Sequence, residues 1–129
     1  MSSDWKPQGY STVSVYLVAD GAQRVIDFLR TTFDATDLRC FPTAGGKIMH
    51  AEVRIGDTVV MIADAGDNYP AFPVWLHVYV PDVDATYKKA LEAGGVSVQG
   101  PTLKEDDPDR RGGFKDPGGN TWWIATQLG

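Results

Sequence analysis

His50 and Glu52 stand two residues apart in Ile48-Met-His-Ala-Glu-Val-Arg-Ile-Gly-Asp57, a stretch with strand character. Their side chains therefore leave one strand face about 6.6 Å apart. An imidazole and a carboxylate at that spacing can, with a third donor, ligate a divalent cation. A catalytic metal needs about three N or O donors at roughly 2.0–2.2 Å, and His77 would have to be the third. The alternative is that His50 and Glu52 hydrogen-bond to polar neighbours while His77 lines a pocket. Trp75, His77 and Tyr79 alternate along another strand-like stretch and so share a face, and Trp123 follows later in the chain. Aromatic faces bind flat or cationic molecules, each contact contributing about 0.5–2 kcal/mol once desolvated. Other chemistries find little support. Gly112-Gly113 and Gly118-Gly119 lack the Lys-Ser/Thr of a phosphate loop. None of Ser2, Ser3, Ser11, Ser14 or Ser97 has the context of a nucleophile elbow. Cys40 follows Arg39 in a strand-like stretch, where a buried, inert thiol is expected. One Cys and two His assemble neither a Cys₄ nor a Cys₂His₂ zinc site.

The elements that must position these residues form an internal repeat. Val13-Ser-Val-Tyr-Leu-Val-Ala-Asp20 is an alternating strand pattern, followed by a helical pattern with Ala22, Val25, Ile26, Leu29 and Phe33 on one side. Trp75-Leu-His-Val-Tyr-Val-Pro-Asp82, followed by Val83, Tyr87, Ala90 and Leu91, repeats it at an offset of 62 residues, aligning Leu29 with Leu91. In both copies the Asp sits where a helix N-cap belongs. Further strand follows, Gly56-Asp57-Thr-Val-Val-Met-Ile62 in the first half and Gly119-Asn120-Thr-Trp-Trp-Ile124 in the second, at an offset of 63. Both turn dipeptides suit a two-residue hairpin. The reading is a strand, a helix and about three strands, twice over. Module 1 spans about residues 12–64, a Gly/Pro/Asp-rich linker 65–73, and module 2 about 74–127. Residues 101–111 read as a second loop. A module of ~55–60 residues buries too little apolar surface to stand alone, so the copies must share a core or pair with another chain.

Two βαβββ modules, each opening on a strand that ends in Val-x-Asp, resemble the vicinal oxygen chelate superfamily, which includes glyoxalase I, extradiol dioxygenases and bleomycin-resistance proteins. The wording is closest to the PhnB-like glyoxalase/bleomycin-resistance group in the His50–Glu52 stretch, in Leu76-His-Val-Tyr-Val-Pro-Asp-Val-Asp84, in Asp109-Arg-Arg-Gly112 and in Asp116-Pro-Gly-Gly-Asn-Thr-Trp-Trp-Ile-Ala-Thr126. The resemblance implies an α+β fold whose sheets pack helices on one face and curve around a cavity on the other. Strand parity then turns Trp75, His77, Tyr79 and Trp123 toward the cavity and Trp122 toward the helices. Metal-dependent members of the superfamily carry four ligands, and their positions fall here on Val13, Val60, Trp75 and Trp123, none of which supplies a lone pair. The Asp-Arg-x-Gly stretch raises Arg110 to a residue of the cavity rim. The resemblance implies a homodimer in which modules pair to complete two clefts.

Composition bounds the rest. The 129 residues are 43% hydrophobic and 22% charged, which excludes a disordered chain. Twelve basic against 17 acidic residues leave a net charge of −5 with scattered Lys and Arg, which argues against a nucleic-acid partner. No apolar run approaches the ~20 residues of a bilayer span, and residues 1–10 lack the marks of a signal peptide, so a cytoplasmic protein is expected. The expected function is non-catalytic binding of a small aromatic or cationic drug-like molecule by Trp75, His77, Tyr79, Trp123, His50, Glu52 and Arg110, with no cofactor. The alternative is a metal-dependent lyase, isomerase or dioxygenase using a divalent metal at His50, Glu52 and His77.

Overall fold

The structure, a computed structural model, describes residues 5–129. The reading of residues 1–10 as free of a leader, like that of Ser2 and Ser3, therefore rests partly on positions outside the described residues. The chain runs β1 (Val15–Ala19), α1 (Ala22–Phe33), β2 (Thr36–Pro42), β3 (Ile48–Ile55), β4 (Thr58–Asp64), β5 (Trp75–Tyr79), α2 (Val83–Glu92), β6 (Val96–Leu103), β7 (Asp109–Lys115) and β8 (Thr121–Gln127). These strands make two four-stranded sheets, ordered β1-β4-β3-β2 and β5-β8-β7-β6. The pairs β1/β4 and β5/β8 are parallel and the rest antiparallel. This is the α+β, two-module βαβββ architecture that the repeat predicts. Among the described residues no helix is long and apolar enough to cross a membrane.

The two modules share one core. Leu17, Val53 and Ile62 from the first sheet, Phe114, Trp122 and Ile124 from the second, and the apolar sides of both helices form a single buried cluster. Phe28 and Phe33 of α1 reach across to the second module, with ring centroids 5.7 Å from Phe114 and 5.2 Å from Trp122 respectively. Burial of this joint surface is what a lone module lacks. Because alternate residues of a strand point to opposite faces, each sheet also presents a face turned away from the core.

Burial corrects the repeat register by one residue. The helices begin at Ala22 and Val83, and buried Leu29 matches buried Ala90, while Leu91 is exposed. The offset is thus 61 here, and 62 in the last strands, where Val60 and Ile62 match Trp122 and Ile124. A repeat aligned on its Asp residues misses this, because the two Asp residues do different work. Asp82 caps α2 by accepting from the Ala85 amide. Asp20 does not cap α1, whose N-cap is Gly21 in the left-handed region at φ 81°. Asp64, at the end of β4, instead accepts from the Ala22 and Ile48 amides at 2.8 and 2.7 Å. Burial pushes its carboxyl up, but these backbone donors outweigh it and leave Asp64 below its ordinary value.

Three further expectations change. Gly56-Asp57 makes the two-residue hairpin, with Ile55 opposite Thr58. The second turn takes residues 116–120, because Asp116 gathers the Gly118 and Asn120 amides, the Asn120 side chain and the Trp122 indole into one closed network. The loop of residues 101–111 is mostly strand: β6 continues to Leu103 and β7 starts at Asp109. Pro101 is tolerated because β6 is an edge strand, irregular between Gln99 and Thr102. Cys40 is exposed, lying at a bulge of β2, an edge strand of the first sheet.

Candidate functional site

The outward face of the second sheet carries the aromatic residues. On β5, Leu76 and Val78 pack on the core, so Trp75, His77 and Tyr79 must point the other way. His77 pairs in register with Trp123 of β8. The Trp75 and Trp123 rings meet edge-on at 5.5 Å, and those of His77 and Tyr79 at 4.8 Å. Trp123 lies against the bare backbone of Gly113, where a Cβ would stand 2.6 Å from its ring. Its indole N–H is covered and without an acceptor among the described residues. Trp75 remains 76% exposed and Tyr79 63%, so the face is open. Beside it Arg111 donates to Asp107 (2.8 Å) and Asp109 (2.9 Å) and contacts the His77 Nε2 at 2.9 Å. Tyr79 donates to Asp109, and that hydrogen bond to a carboxylate pushes its hydroxyl above the ordinary value. Two carboxylates against one guanidinium leave this border acidic.

The outward face of the first sheet carries a polar chain. Glu52 is 2% exposed, and its carboxylate accepts from Tyr10, from Arg39 (3.1 Å) and from His50 Nε2 (2.8 Å). Burial pushes the Glu52 carboxyl up, but these three hydrogen bonds and the Arg39 charge hold it below its ordinary value. Tyr16 Oη lies 3.1 Å from the other nitrogen of His50, and Phe41 stacks over the imidazole with centroids 6.1 Å apart.

Of the residues singled out in the sequence, Trp75, His77, Tyr79 and Trp123 come together on one sheet, and His50 and Glu52 on the other. Arg110 is not brought to either face. It points to the helix side and forms a two-pronged pair with Asp84 of α2, while its neighbour Arg111 takes the outward place. The His50/Glu52/His77 metal set is not assembled: His50 and Glu52 stand on β3 of the first sheet and His77 on β5 of the second. Among the described residues no three His, Cys, Asp or Glu side chains gather as a metal site. The register correction moves the first module's family ligand positions from Val13 and Val60 to Ser14 and Met61, since Val60 is buried on the helix side. Ser14, Met61, Trp75 and Trp123 do not make a donor set for a divalent cation. Tyr16, Arg39, Asp109 and Arg111 escaped notice in the sequence. With the offset of 61, Tyr16 matches His77 and His50 matches Arg111, so each sheet carries one hydrogen-bonded pair at equivalent places.

A groove also runs between the two modules. Its cavity of about 680 Å³ is lined by Val15, Phe33, Val60, Leu76, Val78 and Trp122, and its walls include the unpaired outer strands β1 and β5.

Comparison with known proteins agrees with this fold. TioX from Micromonospora sp. ML1 superposes with a TM-score of 0.77 at 26% identity, over 92% of this chain and 99% of its own. TnmS3 from Streptomyces sp. CB03234, described as an antibiotic binding protein, gives a TM-score of 0.65 at 22% identity, over 91% and 97% of the two chains. An uncharacterized protein of Mycobacterium bovis is 37% identical over 126 residues, 88% of this chain and 81% of that protein. Residues 12–124 match the family description that the paired modules lead to, and the chain belongs to the Glyoxalase/Bleomycin resistance protein/Dioxygenase superfamily.

Proposed function

We propose that this protein is a cytoplasmic small-molecule binding protein, holding an aromatic, cationic ligand against the outward face of its second sheet without a metal cofactor. The single observation that carries the reading is the open aromatic face of Trp75, His77, Tyr79 and Trp123. Large aromatic side chains left in water on a sheet face cost stability that core packing would recover, and a stacked ligand restores it. The acidic border of Asp107 and Asp109 favours a positive charge on that ligand. That TnmS3 serves as an antibiotic binding protein on the same fold supports the class of ligand. A second copy of the chain would cover β1 and β5, whose unpaired edges flank an apolar groove, and would turn each outward face into the wall of a cleft.

The test is titration of intrinsic tryptophan fluorescence with flat cations such as proflavine and ethidium, beside the anion 9-anthracenecarboxylate. Saturable quenching by the cations is expected, weakened about 5- to 150-fold in Trp75→Ala or Trp123→Ala, as for loss of a desolvated stacking contact. Equal affinity for the anion removes the cationic part of the proposal. Quenching that neither variant weakens removes the site.

A further inference from the structure

We propose that Tyr16, His50 and Glu52 form a proton-accepting relay on the first sheet, with the Tyr16 hydroxyl oxygen as the reactive atom and a weakly acidic small molecule, such as a phenol or an enol, as its substrate class. The relay is separate from the aromatic face and does not depend on what binds there. Its foundation is a carboxylate that the fold does not require. Glu52 is 2% exposed, yet the equivalent position of the second module is Gly113, so the same sheet forms without a charge there. Burying a carboxylate costs several kcal/mol before compensation, and this one is compensated by donors from three other residues.

The order of protons along the chain follows from chemistry. An ionised carboxylate only accepts, so the hydrogen bond of 2.8 Å to Glu52 puts a proton on His50 Nε2. When the imidazole is neutral its lone pair is on Nδ1, 3.1 Å from Tyr16 Oη, in place to accept from the Tyr16 hydroxyl. A hydroxyl, a base and a carboxylate that orients the base recur wherever a hydroxyl is activated on unrelated folds. Tyr16 differs in this from the other tyrosines of the two faces. Tyr10 and Tyr79 donate to carboxylates, whose negative charge opposes formation of a second anion, and both are pushed above their ordinary value. Tyr16 is set against an imidazole nitrogen, which in the neutral ring can take the proton.

In this step the acidic O–H bond of the ligand breaks, leaving the electron pair on the ligand oxygen. That proton forms a new O–H bond on Tyr16 as the phenolic proton passes to His50 Nδ1. The imidazolium that results is stabilised by Glu52, and total charge is conserved. Tyr16 is 46% exposed, so its oxygen is open to a ligand.

The experiment uses 4-(2-aminoethyl)benzenesulfonyl fluoride as a probe of hydroxyl reactivity. The Tyr16 oxygen attacks sulfur, fluoride leaves, and the phenolic proton goes to His50. Peptide mass spectrometry of partly labelled protein is expected to show Tyr16 modified about 100-fold or more faster than Tyr69 and Tyr79, the low end of what a positioned general base supplies. Both references are the more exposed, at 71% and 63%. His50→Phe should bring Tyr16 to or below the Tyr69 rate, with thermal melts confirming the fold. Should that variant not fold, nitrogen NMR of the wild-type His50 ring decides, with Nε2 protonated and Nδ1 bare expected. Tyr16 labelling no faster than Tyr69, an undiminished rate in folded His50→Phe, or a proton on Nδ1 would overturn the relay.

Discussion

Trp122 and Trp123 are neighbours in sequence and opposites in environment. Trp122 is 1% exposed, packed against Phe33 and bonded through its indole to Asp116. Trp122→Ala is expected to cost about 3–5 kcal/mol, as for a fully buried Trp. Trp123→Ala should cost clearly less in the same chemical denaturation experiment, because that side chain sits on an open face. If the order is reversed, the faces have been assigned the wrong way round. Gly113 tests the aromatic face from beneath. A methyl group there would meet the Trp123 ring at 2.6 Å, so Gly113→Ala must push the indole aside. The expected outcome is a shifted tryptophan emission spectrum and a stability loss of about 1–3 kcal/mol.

At the scale of elements, the helix starts separate residues that look alike in sequence. Asp82→Ala removes a cap and should cost about 1 kcal/mol, whereas Asp20→Ala should stay within about 0.5 kcal/mol, since Asp20 is exposed and caps nothing. Asp64→Ala strands the amides of both Ala22 and Ile48, tying α1 and β3 to β4, and should cost about 1–2 kcal/mol or more. Denaturant melts of the three variants check the ranking. Asp64 and Glu52 also set an acid limb. Both carboxyls lie below their ordinary values in the folded chain, so in acid the unfolded chain binds more protons. Their contribution is fully present above the ordinary carboxylate values of about 4 and fades as the pH falls through the lower folded values. Melting temperature should therefore rise with pH between about 3 and 5, and less steeply in Asp64→Asn.

At the scale of the molecule, the proposed reading makes both faces half-sites. Each is one sheet without an opposing wall, and the strands β1 and β5 leave a row of unpaired backbone groups beside an apolar groove. The homodimer proposed above should sediment at about twice the 14.1 kDa of the chain at micromolar concentration. A monomer at tens of micromolar would remove it.

Periodicity and the internal repeat made the order of elements legible. Alternation in Val15–Ala19 and Trp75–Tyr79, and the 3.6-residue pattern of α1, are local properties of the chain, and burying the apolar side leaves one way to fold each module. The sharing of a face by Trp75, His77 and Tyr79, and by His50 and Glu52, was legible for the same reason. Tertiary structure decided everything that depends on a single residue of register. A slip of one residue turns a strand over, and only packing against α1 and α2 showed that Tyr16 answers to His77 and that Arg111, not Arg110, faces outward. It also decided which Asp caps which helix, because Asp64 reaches Ala22 across 42 positions of chain. The separation of His50 and Glu52 from His77 belongs to the same class: identical residue types can make one site or two, and their placement on two separate sheets makes it two.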